Sequence, residues 1–269
     1  VKVLGVDFTC APRRAKPITV AVGTTRGAAL HVDGIELLPT FAEFDALLAR
    51  RGPWIGGFDF PFSLPREVAN DLGWPRDWPA LVAHCSGYDR LAFRAALDAY
   101  RNTRAAGRRY AHRATDLPAG SSSPMKLVNP PVALMFHEGA RRILAAGVHV
   151  PALHDGDRSR IALEAYPGLL VRKQLGLRGS YKSDTRAEHT PARAAIRAAV
   201  VKALKRGEPL GVSVETGQAL ERVLLADGSG DSLDAVICAV QAAWAWRRRR
   251  RNYGLPAGID PAEGWIVTA

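Results

Sequence analysis

Val3-Leu4-Gly5-Val6-Asp7-Phe8 begins the chain with a run of apolar and β-branched residues that stops at an acid. Such a run reads as a buried strand, here over residues 2–8, with Asp7 at its C-terminal end. Trp54-Ile55-Gly56-Gly57-Phe58-Asp59-Phe60 has the same character: it is apolar until Asp59, and Pro61 ends it. A carboxylate left unpaired against such runs is costly. Both positions therefore ask for a partner that local packing does not supply.

Between these two strands, residues 18–22 and 28–38 read as a hairpin joined through Gly23-Thr24-Thr25-Arg26-Gly27. Thr40-Phe41-Ala42-Glu43 matches a capping box, and Phe41, Phe44, Leu47 and Leu48 give the helix it opens an apolar face. Residues 65–72, 78–85, 88–106 and 132–146 carry helical periodicity, with a polar loop over 107–131. A fifth strand is expected over 161–166, stopped by Pro167. Helices are expected at about 168–175, 191–206, 215–226 and 230–247. A hairpin followed by strand–helix crossovers predicts an α/β fold, with a mixed sheet largely parallel at one side and helices on both faces. No linker flanks the helical stretch. The expectation is one domain over 1–269, with a mainly helical insertion at about 65–150.

Three further acids join Asp7 and Asp59. Glu164 stands near the end of the fifth strand, in Glu164-Ala165-Tyr166-Pro167. Asp231 and Asp234 open the last long helix in Asp231-Ser232-Leu233-Asp234-Ala235-Val236, and a spacing of three puts them on one helical face. The ends of strands in open α/β sheets form the crevice where ligands bind. Neighbouring strands lie roughly 4.8 Å apart, so acids at adjacent strand ends can meet. Carboxylates brought that close repel one another, and a divalent cation relieves the repulsion. An all-oxygen ligand set selects Mg²⁺ or Mn²⁺. Two such ions roughly 4 Å apart can activate water and stabilise the leaving oxygen in phosphodiester cleavage. Plainer roles are open to individual acids: Asp231 suits a helix N-terminus, and Glu164 can pair with an arginine. Asp234, set among Leu233, Ala235, Val236 and Ile237, has no such easy account.

This layout resembles the RNase H-like superfamily, in which an acid on the first strand, one on the fourth and one or two on the last helix bind metal. The Asp231-x-x-Asp234-Ala235 step is similar to the helix signature of RuvC-type resolvases. More closely, Gly5-Val6-Asp7-Phe8-Thr9, Gly57-Phe58-Asp59-Phe60-Pro61, Glu164-Ala165-Tyr166-Pro167-Gly168 and Asp231-Ser232-Leu233-Asp234-Ala235 resemble the domain-of-unknown-function 429 family, described as a predicted nuclease of RNase H fold. The resemblance runs over nearly the whole chain and includes Ser123-Pro124-Met125-Lys126. It implies that Asp7, Asp59, Glu164 and Asp234 belong to the site. Asp59 departs from the pattern, since related nucleases often carry Glu there.

With 269 residues, 47% hydrophobic and 23% charged, the chain has the composition of a soluble globular protein. No apolar run approaches the roughly 20 residues that cross a bilayer, so no membrane partner is expected. No secretory signal is expected in the first residues of this sequence. Cys10, Cys85 and Cys238 are odd in number and far apart, which argues against a disulfide framework and points to a reducing, cytoplasmic location.

A formal net charge of +11 favours a polyanionic partner such as nucleic acid, although Arg- and Ala-rich compositions drift basic without one. Arg113, Ser121, Ser123 and Lys126 in the polar loop are candidate phosphate binders, or else a solvated surface. The arginine run 247–251, following Trp244 and Trp246, either grips a nucleic-acid strand or complements a helix C-terminus.

The leading expectation is a metal-dependent nuclease hydrolysing DNA or RNA. Asp7 would bridge two ions, Asp59 and Asp234 would each complete one coordination shell, and Glu164 and Asp231 would be auxiliary. The alternatives are a phosphotransferase or nucleotide hydrolase of the actin and sugar-kinase type, which needs two such units where one is visible, or a non-catalytic nucleic-acid-binding module.

Overall fold

In the computed structural model, which describes residues 1–269, the opening apolar run forms β1 (Lys2–Asp7). The hairpin is β2 (Ile18–Arg26) and β3 (Ala29–Leu38), with β2 antiparallel both to β1 and to β3. Helix α1 (Phe41–Leu48) starts with the expected reciprocal cap: Glu43 N donates to Thr40 Oγ1 at 3.2 Å, and Thr40 N donates to the Glu43 carboxylate at 3.0 Å. Then comes β4 (Trp54–Asp59), parallel to β1. The insertion contributes α2 (Arg66–Asp71), α3 (Trp78–Ser86), α4 (Arg90–Asn102), the single turn α5 (Asp116–Ala119) and α6 (Val132–Ala145). After it come β5 (Val148–His149), β6 (Asp157–Glu164) and a π-helical turn over Leu169–Gln174. The chain closes with α7 (Pro191–Lys205), β7 (Ser213–Glu215), α8 (Gln218–Ala226) and α9 (Asp231–Arg247).

The seven strands form one mixed sheet in the order β5-β6-β4-β1-β2-β3-β7, an α/β arrangement of the RNase H-like type. Successive side chains on a strand face opposite ways, and the sheet sorts its residues accordingly. Leu4, Val6 and Phe58 enter a core shared with Phe44 of α1 and with Val68, Trp78, Phe93 and Phe136 of the insertion. Val3, Ile55, Ile161 and Leu163 enter a second core, packed with Val200 of α7 and with Leu233, Val236 and Val240 of α9. No helix is long and apolar enough to cross a membrane.

Helix α9 lies closer to the sheet than side chains normally permit. Gly5 of β1 and Gly57 of β4 stand side by side in the parallel register. A Cβ on Gly5 would come within 1.9 Å of the Ala235 carbonyl oxygen, and one on Gly57 within 2.4 Å of that of Cys238. The two glycines let the helix backbone rest directly on the strands.

Four local expectations are corrected. The fifth expected strand is β6, which starts at Asp157 because its exposed first half is charged and reads as a loop. Strands β5 and β7 are too short to show periodicity, and β7 occupies part of the helix expected from 215, so α8 begins at Gln218. The helix expected over 168–175 is the π-helical turn. The polar stretch 107–131 is no open loop, since Arg113, Thr115, Asp116, Ser123 and Met125 within it are buried.

Candidate metal centre

Asp7 and Asp59 are partners in the parallel register of β1 and β4, two residues beyond the paired glycines and on the same face. That face meets α9, whose first turn brings in Asp234, fully buried. One carboxylate oxygen from each of Asp7, Asp59 and Asp234 lies within 4.8 Å of the others. Three elements far apart in sequence thus deliver three acids to one point, as their placement at two strand ends and a helix start predicts.

The acids are crowded, and their titration shows it. Burial raises Asp7 well above the usual carboxylate range, and the charges of Asp234, Asp231 and Asp59 push it further. Burial also lifts Asp59 to about 7, with Asp234 and Glu164 adding to the shift and Lys182 opposing it. Asp234 is raised by burial against the pull of Lys182 and Tyr181.

Two of the residues that answer this crowding went unread in the sequence. The Lys182 ammonium bonds one oxygen of Asp234, and the buried Tyr181 hydroxyl donates to the other. Burial opposes the charge on Lys182, but Asp234, Asp7 and Asp59 hold it protonated, its pKa well above normal. Lys16, on the turn between β1 and β2, pairs with Asp231 at 3.0 Å and Asp184 at 2.7 Å. The only trace in the sequence is the polar segment Gly179-Ser180-Tyr181-Lys182-Ser183-Asp184, which has no periodicity to read.

The other expected site residues fall outside the three-acid cluster. Glu164 is opposite Phe58, not Asp59, in the β4–β6 register, so its side chain takes the other face of the sheet. There it accepts the Phe62 amide at 2.9 Å and a two-pronged bond from Arg113 at 2.7 and 2.6 Å. Arg113 is itself 2% exposed and also pairs with Asp116 at 2.9 Å, which leaves no free guanidinium edge for phosphate. Burial works against the Arg113 charge, and Glu164 and Asp116 overcome it to hold the group fully protonated. Ser123 is buried, donating to the Ala111 carbonyl at 2.5 Å and accepting from Met125 N. Lys126 is half-buried and takes no part in the cleft lining. Asp231 lies beside the cluster, held by Lys16.

The cluster opens into a cleft of about 830 Å³. Lys16, Lys182 and Arg172 bring positive charge to it, and Tyr166 an aromatic ring. The Arg172 guanidinium bonds the Tyr166 hydroxyl and lies 5.5 Å from its ring centroid. Ser121, Ser122 and the stretch from Asn129 to Val132, all from the insertion, form the facing wall. The residues present fit a hard divalent ion: the donors are carboxylate oxygens alone, brought within 4.8 Å of one another.

A family model described as a protein of unknown function (DUF429) matches residues 5–257. No curated protein and no solved structure matches the chain.

Proposed function

We propose that this chain, which belongs to the DUF429 family of proteins of unknown function, is a metal-dependent phosphodiesterase acting on nucleic acid. The observation that carries the reading is the meeting of Asp7, Asp59 and Asp234 within 4.8 Å, from two strands and a helix. Asp7 and Asp59, with Asp234 beside them, would hold Mg²⁺ or Mn²⁺, which would supply Lewis acidity toward a phosphodiester and a bound water of lowered pKa.

The chain's own residues account for the rest. Arg172 brings positive charge to a phosphate in the cleft, and the Ser122 hydroxyl adds a hydrogen-bond donor. The Tyr166 ring, steadied by Arg172, gives a base a face to stack on. A net charge of +11 draws a polyanion toward the cleft. The phosphotransferase alternative has less support, because it needs two such units and the chain builds one sheet.

The test incubates purified protein with labelled single-stranded, duplex and branched DNA and RNA, with Mn²⁺, Mg²⁺ or a chelator. Cleavage is expected only with metal, and Asp7→Asn and Asp234→Asn should each abolish it while the fold survives. Asn keeps the side-chain shape but removes the charge that holds a cation. Cleavage in chelator, or full activity in both variants, would refute the reading. Affinity for nucleic acid without cleavage or metal binding would favour the non-catalytic module.

A further inference from the structure

Lys182 is not a surface lysine that happens to swing inward; the loop that carries it is built around it. Its carbonyl accepts from Arg193 at 3.1 Å and from Ser180 Oγ at 2.6 Å. The Tyr181 carbonyl accepts at 2.8 Å from Arg197, itself 4% exposed and also bonded to the Leu225 carbonyl. Ser183 N donates to the Gly228 carbonyl at 3.1 Å, which ties the loop to the segment that leads into α9. The lysine stem packs on Gly230, the residue before α9, where φ is 79° and a Cβ would fall 2.6 Å from that of Lys182. Tyr181 and Lys182 together take both oxygens of Asp234.

Charge points the same way. Once ionised to take a cation, Asp7, Asp59 and Asp234 carry three negative charges, and the ammonium cancels one. The remainder matches a single divalent ion. A second ion beside Asp234 would have to displace the ammonium or sit against it, and like charges at contact repel.

We propose that Lys182 is the resident second cation of this centre, so that the site takes one divalent ion, held by Asp7 and Asp59, while Lys182 keeps Asp234. The proposal rests on the metal-centre reading above and replaces the two ions that the acid pattern by itself implied. Lys182 then stands beside the reacting groups as a fixed positive charge that needs no metal to be present.

The experiment counts Mn²⁺ ions on metal-stripped protein by native mass spectrometry and titration calorimetry, for wild type and Lys182→Met. One ion per chain is expected on wild type and two on Lys182→Met, with the second lost again when Asp234→Asn is added. Removing the ammonium leaves the buried Asp234 short of its counter-ion, so a measurement on the unaltered protein guards against a variant that does not fold. Anomalous scattering from Mn²⁺-soaked wild-type crystals should show one peak, beside Asp7 and Asp59, and two peaks would overturn the assignment. No ion on either protein overturns the metal-centre reading and the proposal with it. Any other pair of counts leaves that reading standing and overturns the role of Lys182 alone.

Discussion

Asp59 ionises against burial and against the charges of acids on neighbouring elements. With its pKa lifted to about 7 by burial and by Asp234 and Glu164, the metal-free folded state holds a proton that the unfolded chain releases near pH 4. The sign follows. The contribution of Asp59 to stability is fully present below about pH 4 and is lost as pH rises toward 7. Thermal unfolding in chelator should therefore show Asp59→Asn gaining on wild type across that window, and Mn²⁺ should close the gap at pH 7. A difference that stays flat with pH would contradict the shift. Arg113 makes the opposite case, a charge whose partners are complete. Replacing it by Met leaves Glu164 and Asp116 buried without their counter-ion, and a loss of about 3–5 kcal/mol is expected in urea denaturation. A loss below about 1 kcal/mol, the range of an exposed pair, would show that the pairing is dispensable. The acids of the cluster were legible because a carboxylate at the end of an apolar run stands out. The separation of Glu164 from them was not legible, since it turns on the register of β6 against β4, and an offset of one residue changes the face.

At the scale of elements, the site depends on how closely α9 approaches β1 and β4. Gly5→Ala would drive a methyl into the Ala235 carbonyl, an atom of helix backbone that no rotamer change can move away. Overpacking of this kind costs about 1–3 kcal/mol and occasionally more. Because the clash falls two residues from Asp7, on the same strand and the same face, Mn²⁺ affinity should fall at least tenfold as well. Gly34→Ala on β3, where a Cβ would meet nothing within 4 Å, is the matched control and should be close to neutral. Denaturation and calorimetry on the two variants decide the point, and equal stability would refute the close-packing account. The strands, the hairpin, α1 and α9 could be read from periodicity and caps, which are local properties. Gly5 and Gly57 were visible in the motifs, but their purpose lies in a helix that begins more than 170 residues later in the chain.

At the scale of the whole molecule, an excess of eleven positive charges makes association with nucleic acid a matter of phosphate contacts and counterion release. Affinity should fall steeply and linearly on a log–log plot against salt and change little with base sequence. A flat salt titration, or no binding at low ionic strength, would remove nucleic acid as the partner. The sequence by itself determined the α/β class, the helical stretch between β4 and β5 and the identity of the three clustered acids. Each of these is written in short-range pattern: apolar runs, spacings of three and four, and acids where burial penalises them. Tertiary structure alone decided that Lys182 and Tyr181 complete the cluster, that Arg113 and Glu164 spend their charges on each other, and that the insertion walls the cleft. The physical reason is that these contacts join segments with no periodicity of their own. Their meeting depends on strand register, on the face a side chain takes and on the depth at which α9 settles, and none of these is encoded locally.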